Sequence, residues 1–150
     1  MQVEFILNGQ RIELAVEKNE FLAEALRKAG MLGVRQGCNT SSCGLCTVWI
    51  DGKPTLSCSF LALRAAGKSI TTIEGVQTEA KEFAAFLTAQ GAEQCGFCSP
   101  GFIMTVLAMK RELTTYSEEA IIHYLAGNLC RCTGYMGQLR AVKAYLGVTE

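Results

Sequence analysis

Residues 37–48 read Gly37-Cys-Asn-Thr-Ser-Ser-Cys-Gly-Leu-Cys-Thr-Val48, and this stretch holds three of the chain's eight cysteines. The spacing is Cys38-x4-Cys43-x2-Cys46, with Cys58 after eleven further residues. Gly37 and Gly44 allow a loop of this kind to adopt positive φ and to approach a bound group closely. The cysteines are therefore placed to converge from one tight loop and one neighbouring element.

This spacing is the one by which plant-type ferredoxins ligate a [2Fe–2S] cluster. Three thiolates of one loop wrap a cluster whose sulfurs need backbone N–H donors. The segment from Thr47 to Pro54 is predicted to form a strand and a turn at Asp51-Gly52, which carry Cys58 back toward the loop. A zinc ion is the alternative to the cluster, although zinc sites usually combine two C-x2-C pairs.

A second cysteine group consists of Cys95-x2-Cys98 and Cys130-x-Cys132. Each pair directly precedes a predicted helix, and converging helix N-termini would place N–H groups and positive dipole ends around an anionic cluster. By spacing alone, zinc or a thioredoxin-like redox pair also remains open. We interpret this group as the ligands of a second [2Fe–2S] cluster.

Composition limits the environment and the partners of the chain. It has 150 residues, 49% of them hydrophobic, and its 14 Lys and Arg balance 14 Asp and Glu, which favours neither nucleic acid nor an anionic membrane. No apolar run reaches the ~20 residues that span a bilayer. The first residues do not form a secretory signal. We expect a cytoplasmic protein, where disulfides are rare.

The pattern of the first half predicts a small sheet with a helix across it. Two predicted strands, in which apolar and polar residues alternate, flank Asn8-Gly9, which is a strong hairpin signal. A helix is predicted from about Glu20 to Ala29, with Asn19 as its N-cap and Gly30 as its stop. A last strand is predicted from about Ser69 to Ile73.

The second half shows only helical patterns. Four helices are predicted: about Glu79–Gln90, one opening at Ser99-Pro100, one from a Ser117 cap to Gly127-Asn128, and one with a stripe of Tyr135, Leu139, Val142 and Leu146. Short connections predict an antiparallel four-helix bundle. The fold class is thus α+β, with one domain over residues 1–76 and a helical [2Fe–2S]-binding domain over residues 77–150.

Four motifs together resemble the small iron–sulfur subunit of the molybdenum hydroxylases, the xanthine dehydrogenase and aldehyde oxidoreductase family. They occur in the family's order across nearly the whole chain. They are residues 37–48, Ile70-Thr-Thr-Ile-Glu-Gly75, Gln94-Cys-Gly-Phe-Cys-Ser-Pro-Gly-Phe-Ile-Met104 and Gly127-Asn-Leu-Cys-Arg-Cys-Thr-Gly-Tyr135.

The resemblance implies a plant-ferredoxin-like β-grasp domain followed by a four-helix bundle, each with one [2Fe–2S] cluster. It implies a large subunit with molybdopterin, a medium subunit with FAD, and a dimer of heterotrimers. Electrons would pass from molybdenum through the helical-domain cluster and the other cluster to FAD or another acceptor. Gln94 and the Cys132 sulfur would contact the pterin, and no residue of this chain would act on a substrate.

Two features depart from the family's usual pattern. Asn39-Thr-Ser-Ser42 stands where many members have glycine-rich residues, so a Ser41 or Ser42 hydroxyl could donate to a cluster sulfur. Gln138 stands where the family often has an apolar residue, which puts the packing of the last helix in question. Trp49 and Tyr135 are expected in the core rather than as electron relays.

Two other functional classes are considered beside the electron-transfer subunit. A free-standing ferredoxin-like carrier or redox sensor would need no partner subunits, and the pterin-facing motif Gln94–Cys98 argues against it. A zinc-stapled interaction module would be colourless, whereas two [2Fe–2S] clusters are brown. The substrate and the direction of the reaction stay open.

Overall fold

The computed structural model describes residues 1–148, so residues 149 and 150 of the predicted second domain lie outside the described residues. The first half forms a mixed sheet with strand order β2-β1-β5-β3-β4. The strands are β1 (Gln2–Leu7), β2 (Gln10–Ala15), β3 (Thr47–Ile50), β4 (Lys53–Leu56) and β5 (Ser69–Thr71). β1 and β5 are parallel, and the other neighbours are antiparallel.

Both predicted turns of the sheet are confirmed. Asn8-Gly9 joins β1 to β2 with φ of 50° and 83°, and Asp51-Gly52 joins β3 to β4 with φ of 50° and 82°. Two consecutive positive φ values are the mark of a type I′ turn, whose twist matches that of the strands. The second turn sends β4 back along β3 and so positions Cys58 beyond its end.

Helix α1 (Leu22–Lys28) packs on the sheet with Leu22 and Leu26 fully buried. The predicted cap at Asn19 is wrong, because Phe21 is the N-cap residue and no side chain caps the helix. The N–H of Leu22 instead donates to the carbonyl of Phe60 at 2.7 Å. A distant backbone segment therefore satisfies one of the N–H groups that have no partner within the helix.

The second half is helical throughout, as predicted. Its helices are α2 (Gln77–Ala89), α3 (Ser99–Glu112), α4 (Glu118–Leu125) and α5 (Met136–Leu146). The Ser117 cap is confirmed, since its Oγ accepts the N–H of Ala120 at 3.1 Å. Among residues 1–148, none of the helices combines the length and the apolar character that crossing a bilayer requires.

Two predicted boundaries and one side chain differ from expectation. β5 ends at Thr71, because the N–H of Thr72 turns to Asn8 Oδ1 at 2.9 Å. α4 ends at Leu125, before the predicted Gly127. Tyr135 is not in the core: it precedes α5 at φ 70° and is 45% exposed.

Strand β3 contributes to two hydrophobic cores. Val48 and Ile50 pack in the core between the sheet and α1, whereas Trp49 packs among the helices and is 7% exposed. The Trp49 Nε1–H donates to the carbonyl of Met104 on α3 at 2.9 Å. The guanidinium of Arg111, also on α3, lies 3.7 Å from the centre of the indole ring. The prediction of a core Trp49 is confirmed.

Candidate metal centres

The first cysteine group lies on the loop between α1 and β3 and on one turn after β4. Cys43 and Cys46 are buried, while Cys38 and Cys58 are partly exposed. Ser57, beside Cys58, is fully buried and donates its hydroxyl to the carbonyl of Cys46 at 2.6 Å. This contact holds the fourth cysteine against the loop, as the predicted hairpin required.

The four thiols of this group associate two by two. Cys38 contacts Cys43, and Cys46 contacts Cys58, through their side chains. N–H groups of Thr40, Cys43 and Ser42 point at the Cys38 sulfur and lower the pKa of its thiol to about 6. Burial raises the pKa of the Cys46 thiol to about 11. The loop is thus built to stabilise negative charge on sulfur at Cys38.

Of the two serines predicted to donate to a cluster sulfur, Ser41 is the one that lies beside a cysteine sulfur. Its Oγ lies 3.5 Å from the Cys58 Sγ, and its backbone has φ 55°. Ser42 is directed elsewhere, because its hydroxyl pairs with that of Thr40 at 2.8 Å. With a thiolate at Cys58, the Ser41 hydroxyl is the group that has a proton to donate.

The second cysteine group is assembled from the segments before α3 and before α5. Cys98 is the N-cap residue of α3, and Cys130 and Cys132 lie between α4 and α5. The Sγ atoms of Cys95 and Cys132 are 3.5 Å apart, and Cys98 contacts Cys130. This group too is arranged as two pairs.

Donors to sulfur surround the second group as well. The Thr133 hydroxyl donates to Cys130 Sγ at 3.2 Å, and the N–H of Phe97 to Cys95 Sγ at 3.5 Å. Burial works to raise the pKa of the Cys130 thiol, but Thr133 and nearby N–H groups lower it overall. Burial raises the pKa of the Cys98 thiol to about 11.

The donor set fits iron–sulfur clusters. Within residues 1–148, no three His, Cys, Asp or Glu side chains converge so as to hold one metal ion. The thiols come in pairs instead, and a [2Fe–2S] cluster held by four cysteines has two of them for each iron. The N–H and hydroxyl groups aimed at sulfur are the protein's means of stabilising such an anionic cluster. The residues present therefore fit one such cluster in each group.

The two cysteine groups lie against each other. The N–H of Leu129 donates to the carbonyl of Cys43 at 2.9 Å. A cavity of about 650 Å³ between them is lined by six of the eight cysteines: Cys38, Cys43, Cys95, Cys98, Cys130 and Cys132. Arg35 crosses the same boundary, donating to the carbonyl of Gly96 with its guanidinium 5.3 Å from the centre of the Phe97 ring.

A glycine permits the close approach of the two halves. The backbone of Gly101, in the first turn of α3, faces the loop at Leu45, and a Cβ there would lie 2.8 Å from Leu45 Cα. Gly101 lies inside the motif of residues 94–104, but nothing in the sequence pattern predicted its contact with Leu45. Thr133 was also missed as a sulfur donor, although its position directly after Cys132 is a usable signal.

The predicted pterin contacts lie at the surface. Gln94 and Cys132 are both exposed, and Cys95 stands between them, adjacent to Gln94 in sequence and to Cys132 in space. Gln138 is buried, at 5% exposure, and its Nε2 lies 3.8 Å from Cys98 Sγ. Gln138, which stands where the family often has an apolar residue, thus faces a cysteine of the second group.

Two domain families match the chain. The family described as "2Fe-2S iron-sulfur cluster binding domain" matches residues 5–69, and the family described as "[2Fe-2S] binding domain" matches residues 72–143. Together they cover the segments that carry both cysteine groups.

Curated proteins and solved structures agree with this match. The chain is 43% identical over 139 residues to the xanthine dehydrogenase iron-sulfur-binding subunit of Escherichia coli O157:H7, covering 89% of this chain and 86% of that protein. It is 40% identical over 141 residues to the nicotinate dehydrogenase small FeS subunit of Eubacterium barkeri, covering 91% and 89%.

A crystal structure of quinoline 2-oxidoreductase from Pseudomonas putida 86 aligns with a TM-score of 0.90 at 35% identity. The alignment covers 99% of this chain and 93% of that chain. Sequence motifs, fold and cysteine geometry therefore lead to one conclusion: the chain belongs to the family of iron–sulfur electron-transfer subunits of the molybdenum hydroxylases, of the xanthine dehydrogenase and aldehyde oxidoreductase type.

Proposed function

We propose that this chain carries electrons between a molybdenum subunit and a flavin subunit of one oxidoreductase. The eight ligands are the two sets of four described above. The first set is Cys38, Cys43, Cys46 and Cys58, and the second is Cys95, Cys98, Cys130 and Cys132. Each bound [2Fe–2S] cluster would accept and release one electron at a time, so two of them match the electron pair of a molybdenum reaction.

The hydrogen bond from Leu129 to Cys43 is the observation that carries this proposal. Leu129 precedes Cys130 directly, so only a few bonds and one 2.9 Å hydrogen bond separate a ligand of the second set from a ligand of the first. A structural zinc protein has no need of such a connection between its two sites. The residues of this chain therefore supply a short path between the two sites.

The exposed side of the second group is suited to docking the large subunit. Four large side chains on the segments that carry this group are exposed: Phe97 48%, Leu129 45%, Tyr135 45% and Met136 59%. An exposed apolar patch next to a functional group marks an interaction site. In this proposal Gln94 and Cys132 contact the pterin of that subunit, and Cys132 acts both as ligand and as the point where electrons arrive.

The remaining organisation follows the family. We propose a β-grasp domain over residues 1–76, a four-helix bundle over residues 77–150, and a cytoplasmic dimer of heterotrimers with molybdopterin-binding and FAD-binding subunits. The three relatives described above are named for xanthine, nicotinate and quinoline, so the substrate class proposed here is an N-heterocycle such as a purine. No residue of this chain makes or breaks a substrate bond.

Copurification from the native host tests the proposal. We expect the tagged chain to bring down two larger subunits, with molybdenum, flavin, and about four iron and four sulfide per copy of this chain. Two [2Fe–2S] EPR signals should appear on reduction with the substrate. Brown protein that emerges alone would support the free-standing carrier, and colourless protein with zinc would support the interaction module; either result would overturn the proposal.

A further inference from the structure

We propose that Gln138 tunes the second cluster by donating an N–H···S hydrogen bond to Cys98. The inference rests on the proposed two-cluster function and adds a residue that acts on the potential of one cluster only. Gln138 lies in the first turn of α5, and Cys98 is the N-cap residue of α3, so the contact joins the two helices that flank the cluster site.

The geometry makes Gln138 a donor. Its Nε2 lies 3.8 Å from Cys98 Sγ, which is within reach for the large sulfur atom. A thiolate that ligates iron offers only lone pairs, so the amide must present its NH₂ group and not its oxygen. The side chain is 5% exposed, and water therefore does not compete for the sulfur at this point.

The surroundings strengthen the effect of this donor. The groove beside Gln138 is lined mostly by apolar side chains, among them Phe102, Met136 and Leu139, with Asn128 as the other polar residue besides the Tyr135 hydroxyl. A hydrogen bond in such surroundings is electrostatically stronger than the same bond in water. A buried amide here is costly unless it is bonded, which argues for a specific role at a position that packs well with an apolar residue.

The sign of the effect follows from charge. Reduction by one electron makes the cluster and its thiolates more negative. A donor to Cys98 therefore stabilises the reduced form more than the oxidised form, and it raises the reduction potential. Gln138 is thus a positioning and tuning residue, and it is not a ligand.

The test is a redox titration of the purified holoenzyme complex carrying Gln138→Met, with both cluster EPR signals recorded. Met has nearly the length of Gln and fills the same space without a donor. We expect the midpoint potential of one cluster to become more negative while that of the other stays unchanged. Leu139→Met, at the next position of α5, is the matched control and should move neither potential.

Three results would overturn the assignment. They are two unchanged potentials in Gln138→Met, an upward shift, or an equal shift in Leu139→Met. A fourth result concerns folding. If both Gln138→Met and Gln138→Leu retain only about half the iron of the parent, Gln138 is a structural residue, and the proposal that it tunes the potential is wrong. Iron far below about four per chain in the parent would instead overturn the two-cluster function itself.

Discussion

The backbone N–H of Leu129 and the carbonyl oxygen of Cys43 meet at 2.9 Å, and this bond joins the loop of the first cysteine group to the segment that leads into the second. Both residues lie on irregular backbone, so the bond is not part of any regular element. It links the two cysteine groups directly, beside the contacts that α3 makes with β3 and with the first cysteine loop.

Replacing Leu129 with proline tests the importance of this bond. Proline has no N–H, so the variant should lose about 1 kcal/mol of stability and should transfer electrons between the clusters more slowly. Stopped-flow reduction of the holoenzyme by substrate should show normal reduction of the first-filled cluster and delayed reduction of the other. Leu129→Ala keeps the N–H and is the control; equal delay in both variants would contradict a role for the bond.

Gly101→Ala should push α3 away from the first cysteine loop. The new Cβ would lie 2.8 Å from Leu45 Cα, and overpacking of this kind costs roughly 1–3 kcal/mol. Thermal unfolding should show a lower Tm. For Gly137→Ala on α5, the nearest atoms to the new Cβ are Ala92 Cβ at 3.3 Å and Gln90 O at 3.4 Å, so this substitution should be milder. A Gly101→Ala variant as stable as the parent would show that the two backbones do not touch.

Phe83→Ala should destabilise the helical half more than Phe86→Ala does. Phe83 is fully buried, with ring centres 5.0 Å from Tyr145 and 6.0 Å from Phe102. Removing a buried Phe costs roughly 3–5 kcal/mol, and we expect a fall in urea midpoint together with loss of the second cluster's EPR signal. Phe86 is only partly buried, so Phe86→Ala should have a clearly smaller effect; equal losses would refute this ranking.

Serine substitutions should separate the two clusters. Cys43→Ser should delete the signal of the first cluster and stall flavin reduction, while the second cluster still accepts an electron from the molybdenum subunit. Cys132→Ser should slow the arrival of electrons and leave the first cluster's signal in place. EPR of the reduced complexes measures both, and turnover at the normal rate in Cys132→Ser would contradict its role in receiving electrons.

Removal of iron should expose an order of thiol reactivity. Cys38 has a pKa of about 6 because loop N–H groups stabilise its thiolate, whereas burial raises the pKa of Cys46 and Cys98 to about 11. A thiol is reactive above its pKa. Iodoacetamide labelling of iron-free protein should therefore have its midpoint near pH 6 at Cys38, with Cys46 and Cys98 unmodified at pH 7.

Mass spectrometry of tryptic peptides measures this order at each cysteine. The control is the same protein in urea, where all three thiols should label with one common midpoint near the ordinary value of about 8.5. A Cys38 midpoint that is the same in the folded and unfolded protein would show that the loop N–H groups do not face its sulfur.

Local signals predicted much of this fold. Asn8-Gly9 and Asp51-Gly52 specify tight hairpins by their own backbone preferences, and Ser117 caps α4 by a contact three residues away. Periodic apolar residues then identified the helices of the second half. Short-range contacts of this kind can be predicted from the sequence because both partners lie within one turn of each other.

Long-range backbone contacts were not predictable in the same way. Leu22 takes its partner from Phe60, and Leu129 takes its partner from Cys43. Neither pair leaves a pattern in residue type, because the bonding atoms are those of the backbone. Tyr135 was mispredicted for a different reason. Its place on a helical stripe predicted burial, but the chain turns at φ 70° before α5, and the Tyr135 hydroxyl accepts the N–H of Cys130 at 3.2 Å.

The position of Trp49 has a consequence for any attempt to divide this protein. Its indole belongs to the helices although its strand belongs to the sheet. Cleavage near residue 76 would expose the Trp49 side chain on one fragment and would leave a cavity in the hydrophobic core of the other. Truncated forms should therefore be prone to aggregation, and recombination between related genes is expected to exchange the two cluster modules as a single unit.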